Sequence, residues 1–161
     1  MQPNEVHKQV LRRFTYGLYI VAAATESQYA AATVTWLSQV SFDPPLIMLA
    51  LRNGSRILDM CQKAGACAVH VLAKGQEQIA SSFFKPARVE KDALSGFRFH
   101  PGSETGAPIF SELPAWCEVK VTKAHPAGDH TLVVAEIVDA GVTHQEISPL
   151  ALRDTPWHYG G

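Results

Sequence analysis

Residues 33–46 read Thr33-Val34-Thr35-Trp36-Leu37-Ser38-Gln39-Val40-Ser41-Phe42-Asp43-Pro44-Pro45-Leu46. The first part alternates, with Thr33 and Thr35 on one face and Val34 on the other, and it extends a strand predicted over 31–37. Thr33, Thr35, Ser38, Gln39 and Ser41 gather small polar groups near the end of that strand. The rigid Pro44-Pro45 pair starts the next element, a continuous apolar run over 46–51 that reads as a buried strand. Trp36, between polar neighbours, has the shape to stack on a planar ligand and equally the bulk to fill a core or an interface.

Immediately downstream, Arg52-Asn53-Gly54-Ser55-Arg56 precedes a helix over 55–64. Ser55 suits the N-cap, Ile57, Leu58 and Cys61 give an apolar face, and Gly65 falls where a C′ glycine belongs. A helix N-terminus presents free N–H groups and a positive dipole end, and Gly54 allows close approach. With Arg52, Ser55 and Arg56 adjacent, the loop reads either as an anion cradle or as an ordinary N-cap with two solvated arginines.

Farther out, residues 4–14 predict an amphipathic helix with Val6, Val10, Leu11 and Phe14 on one face. Strands are expected over 18–24, 67–72, 116–123 and 131–140, and a helix over 75–84 stopped by Pro86. Residues 85–114, rich in Pro and Gly, read as loop. Gly128-Asp129 is a turn signal joining the last two strands in a hairpin. Basic residues before the apolar run at 14–24 resemble a signal segment, but Thr15 and Gly17 interrupt it, and a helix followed by a buried strand fits better. Many short strands with three helices and no regular alternation disfavour a doubly wound sheet and fit a mainly β, Greek-key-like barrel with peripheral helices, formed as one domain over 1–161.

Composition narrows the chemistry. Fourteen Lys and Arg against fifteen Asp and Glu leave a formal net charge of -1, without the basic stripe of a nucleic-acid binder or a lipid-surface patch. Hydrophobic residues at 47% and charged ones at 18% supply a core. No apolar run reaches the roughly 20 residues of a membrane span. Cys61, Cys67 and Cys117 lack C-x-x-C spacing and point to reduced thiols in the cytoplasm. His125 and His130 have no third ligand at a sensible spacing, so no metal is expected. There is no G-x-S-x-G elbow, and Cys61 on an apolar helix face suits a structural thiol. That leaves Gly128-Asp129-His130, where Asp129 can orient a histidine able to donate or exchange a proton near neutral pH, unless His130 is only a surface residue of a hairpin.

Taken in order, residues 33–46, the loop 52–56 and Gly128-Asp129-His130 resemble the signature of the flavin reductase-like family with the FMN-binding split barrel. The resemblance runs from Leu11 to Tyr159. It implies a split barrel that forms a homodimer and binds FMN, or alternatively FAD, reduced by NADH or NADPH. By position, Thr33, Val34, Thr35 and Trp36 would line the isoalloxazine, Ser38 and Ser41 would hold the ribityl chain or phosphate, and Asn53, Ser55 and Arg56 would bind the phosphate. Phe83 would approach the flavin, and His130 would lie by the nicotinamide. The reduced flavin, or its electrons, would pass to a partner monooxygenase or electron-transfer protein. Trp36-Leu37 and the ending over 153–161 depart from the family pattern. They keep open a flavin-binding carrier reduced by a protein partner and, farther off, a flavinless or haem-binding barrel.

Overall fold

The computed structural model describes residues 3–160. In chain order, a helix at Pro3–Leu11 (α1) precedes strands Tyr19–Ala24 (β1), Tyr29–Val34 (β2), Leu37–Ser41 (β3) and Leu46–Arg52 (β4). Helix Arg56–Ala64 (α2), strand Ala66–Val71 (β5) and helix Glu77–Ser82 (α3) follow. Three short strands, Ala93–Leu94 (β6), Phe97–Pro101 (β7) and Pro108–Phe110 (β8), lead to the long pair Ala115–Ala127 (β9) and His130–Val142 (β10).

Seven strands form one antiparallel sheet in the order β2-β1-β5-β9-β10-β4-β3, and β6-β7-β8 form a second. The large sheet does not close, as expected of a split barrel. Its two edge strands, β2 and β3, are nonetheless separated in the chain by Thr35 and Trp36 alone. At that seam the chain changes partners: Thr33 N–H bonds the carbonyl of Phe83, whereas the Trp36 carbonyl accepts from Ala50 on β4.

The apolar run of β1 has a plain cause. Val21 and Ala23 face a cluster with Leu49, Leu51, Val69, Val133 and the inner side of α2. Ile20 and Ala22 face a second cluster with Leu72, Phe83, Phe110 and Leu150. A strand covered on both faces has no position for a polar side chain. Helix α2 forms as expected: Ser55 Oγ accepts from Leu58 N–H at 3.3 Å, and Gly65 ends it at φ 65°. Ile57, Leu58, Met60 and Cys61 turn inward, and truncating such a side chain costs about 2–5 kcal/mol. The β9–β10 turn pairs Ala127 with His130 across Gly128 and Asp129, with Gly128 at φ 65°. Positive φ at its first central position gives the turn the twist a hairpin needs.

Three expectations need correction. The 31–37 strand is two: β2 stops at Val34, and Leu37 opens β3 on the opposite edge of the sheet. Residues 85–114 are not only loop, because β6–β8 form a small sheet that presses Leu94, Phe97, Phe99 and Phe110 into the second cluster. Helix α1 ends at Leu11, and Val6, Val10, Leu11 and Phe14 are exposed, so its apolar face is not core. Among the described residues no helix is long and apolar enough to cross a membrane.

Candidate functional site

A cavity of about 470 Å³ opens beside the seam. Ala32, Thr33, Val34 and Thr35 supply one wall. Ala50, Leu51 and Arg52 at the end of β4, with Ser55 and Ile57 at the start of α2, supply a second. Leu18, Phe83 and Phe84 add apolar surface, and Trp157, His158 and Tyr159 close the remaining side. The fold places these groups by bringing the N-terminus of α2 next to the edge where β2 leaves the sheet.

The wall is part grease and part dipole. Arg52 and Ser55 sit at the N-terminal end of α2, where the unpaired N–H groups and the helix dipole favour an anion. Phe83 is 2% exposed and packs on Phe97 and Phe110, so it is core and cavity wall at once. Thr33 is held in place, its Oγ1 donating to the Ala80 carbonyl at 2.6 Å. Thr35 differs: its hydroxyl is buried on the cavity wall with no hydrogen-bond partner. An unpaired buried hydroxyl costs about 1–3 kcal/mol, which a polar ligand atom in the cavity would recover. The indole N–H of Trp36 is likewise buried and unpartnered.

The structure thus brings Thr33, Val34, Thr35, Ser55 and Phe83 together. It does not bring the remaining sequence-predicted residues to the cavity. Ser38 and Ser41 both lie in the edge strand β3, where Ser38 is solvent-exposed. Arg56 is exposed, because Ile57 and Leu58 are the residues of that helical turn that face inward. The Asn53 side chain is occupied as a strut. Its Nδ2 donates to the Gly128 carbonyl at 3.0 Å and its Oδ1 accepts from Thr131 Oγ1 at 2.7 Å, locking the loop 52–55 to the hairpin.

Trp36 and His130 stand one layer back, with ring centroids 4.6 Å apart. His130 Nδ1 lies 2.6 Å from Asp129 Oδ1, and Nε2 lies 2.8 Å from the Tyr159 hydroxyl. The hydrogen bond from His130 holds the Asp129 carboxyl below its ordinary range. Partial burial raises the Tyr159 phenol, with Asp129 adding to the rise and Arg52 opposing it.

Sequence reasoning missed the aromatic group Trp157, His158 and Tyr159 as part of the site, whereas Arg52, named with the loop 52–56 as an anion cradle, does line it. The only signal was the density of aromatic and imidazole side chains over 157–159. The cysteines stay outside: Cys67 is fully buried, its thiol pushed well up by a hydrogen bond with Cys61 and by burial, and burial pushes Cys117 up to about 11. Among the described residues no three His, Cys, Asp or Glu side chains converge as a metal site would require.

Comparison with known proteins identifies the family and the fold. Residues 11–158 match the model of the flavin reductase like domain. A flavin reductase (NADH) of Kitasatospora aureofaciens is 36% identical over 112 residues, covering 69% of this chain and 57% of that protein. An NADH:FMN oxidoreductase of Rhodococcus qingshengii is 29% identical over 128 residues, 80% of this chain and 65% of that protein. The chain therefore spans less than two thirds of the length of these relatives. The structure of the styrene monooxygenase flavin reductase from Pseudomonas putida S12 superimposes with a TM-score of 0.73 at 28% identity, covering 89% of each chain.

Proposed function

The chain belongs to the flavin reductase like domain family, and from that premise we propose that it is an NAD(P)H-dependent flavin reductase that binds FMN, or alternatively FAD, in the cavity beside Thr35. The observation that carries the reading is the unpartnered Thr35 hydroxyl on a wall that also holds the α2 N-terminus, Arg52 and Ser55. A flavin mononucleotide has the matching parts: a planar ring rimmed by acceptors and N–H groups for the Thr35 and Phe83 side, and a phosphate for the helix end.

When bound, the flavin supplies the capacity to take a hydride and release one or two electrons. The chain's own residues do the rest. Leu18, Val34, Ile57 and Phe83 exclude water from the ring's surroundings. Arg52 and Ser55 hold the anionic end, and Asn53 keeps their loop at a fixed distance from the hairpin that carries His130.

The chain is read as one cytoplasmic domain that pairs as a homodimer. Its free thiols support the compartment. The exposed apolar side chains of α1 and Phe42, 91% exposed after β3, support the pairing. Reduced flavin or its electrons go to a partner monooxygenase or another acceptor. One observation favours the alternative of a carrier reduced by a protein: His130, the expected nicotinamide contact, does not line the cavity beside Thr35.

The test is FMN titration of apoprotein by fluorescence quenching, followed by anaerobic addition of NADH and of NADPH. Saturable binding with bleaching of the flavin bands by either reductant is expected. Binding without bleaching by either would favour the carrier, and absence of saturable binding would remove both readings.

A further inference from the structure

Both ring nitrogens of His130 are committed. Nδ1 faces the Asp129 carboxylate, which accepts only, so the proton is on Nδ1. Nε2 lies 2.8 Å from the Tyr159 hydroxyl and holds it by a hydrogen bond. Trp36 covers the ring at 4.6 Å, and His130 is 7% exposed. Tyr159 is the outer member of this chain of hydrogen bonds. It lines the large cavity and also a smaller neighbouring one of about 240 Å³. Whichever of the two carries the proton they share, the phenol oxygen keeps a lone pair for the cavity.

The segment that carries Tyr159 is seated firmly. Trp157 stands edge-on to Phe84 at 4.7 Å, and the Tyr159 ring meets Trp36 at 5.1 Å. Gly160 lies so close to the indole that a Cβ there would sit 2.7 Å from Trp36 Cζ2. The hydroxyl is thus preorganised from both sides, and a preorganised acceptor selects a donor.

We propose that Tyr159, not His130, is the residue that meets the reductant, accepting a hydrogen bond from a primary amide N–H such as that of a nicotinamide carboxamide, and that His130 and Asp129 are positioning residues behind it. This rests on the reading of the protein as a nicotinamide-dependent flavin reductase and names the group that makes its contact.

Three measurements test it. In calorimetric titration of the FMN-saturated protein with NAD+, which cannot donate a hydride, Tyr159→Phe weakens binding about three- to tenfold, the scale of one neutral hydrogen bond. In anaerobic stopped-flow reduction, the same variant raises the half-saturating NADH concentration by a similar factor and leaves the limiting rate little changed, as loss of uniform binding requires. In the apoprotein, the ¹⁵N resonance of His130 Nε2 shifts on Tyr159→Phe, and His130→Ala adds little to the NAD+ loss in the Tyr159→Phe background because the two act as one unit.

Wild-type NAD+ affinity in Tyr159→Phe overturns the proposal. So does tighter binding, which would make the phenol an obstruction, and so do additive losses, which would return the contact to His130. A wild-type protein that binds FMN yet neither binds NAD+ nor is reduced by NADH or NADPH overturns the parent reading instead, and the proposal with it.

Discussion

His70 Nε2 accepts a hydrogen bond from the backbone N–H of Phe110 at 3.1 Å, while its Nδ1 donates to the Ile20 carbonyl at 3.0 Å. The ring is fully buried and so joins β1 of the large sheet to β8 of the small one as a neutral group. Burial lowers its pKa from 6.5 to about 4. The unfolded chain therefore binds a proton that the folded chain refuses between those values. Stability is complete above about pH 6.5 and falls as pH drops towards 4, by up to about 3 kcal/mol. Urea unfolding at pH 7 and pH 5 will show the loss, and His70→Gln, stable or not, will flatten it.

Glu118 is the other buried ionisable side chain of note. Its carboxylate accepts from Thr105 N–H at 2.8 Å, Thr105 Oγ1 at 2.5 Å and Glu104 N–H at 3.3 Å, holding the turn before β8 against β9. Glu118→Ala strands those donors and will cost at least about 2 kcal/mol in chemical denaturation. Gly102→Ala will also destabilise, because a Cβ there would fall 2.1 Å from Glu118 Oε1.

Thr35→Val separates binding from folding. It removes an unpartnered buried hydroxyl at nearly constant shape. The apoprotein will melt at the same temperature or higher, while FMN binding weakens by about 1 kcal/mol, roughly fivefold. Differential scanning fluorimetry and fluorescence quenching on the same samples check both signs.

The two arginines of the 52–56 loop will not behave alike. Arg52 lines the cavity and Arg56 does not. Arg52→Ala will weaken FMN by about 1.5–3 kcal/mol and barely affect riboflavin, which has no phosphate; Arg56→Ala will change the ratio far less. Parallel titrations with the two flavins supply the measurement.

Most of the barrel was legible because burial writes itself into residue type: β1, β4, β5 and β10 are runs of Val, Ile, Leu and Ala. Edge strand β3 was not, since Ser38, Gln39 and Val40 are exposed and carry little hydrophobic signal. The small sheet hid among prolines and glycines in strands of two to five residues. At the site, Thr33, Thr35, Ser55 and Phe83 followed from local chemistry and from family resemblance. Tyr159 did not, because it meets His130 only after the chain has returned along the first sheet. Leu150 bonds Leu72 and Leu18 there, and Leu152 bonds Tyr16. No local pattern announces a contact across 29 residues.

The seam at Thr35 and Trp36 gives the sheet the logic of a ring cut once and stitched with two links. Every other neighbouring pair of strands is laced by a ladder of backbone bonds, so the width of the mouth is governed at this one stitch. An added residue between Val34 and Leu37 would let the two edges part at the rim of the first core cluster, where both side chains pack, and away from the second. A chain of this design can therefore be refitted for a bulkier guest by changing its length at one address, with the second core cluster left alone.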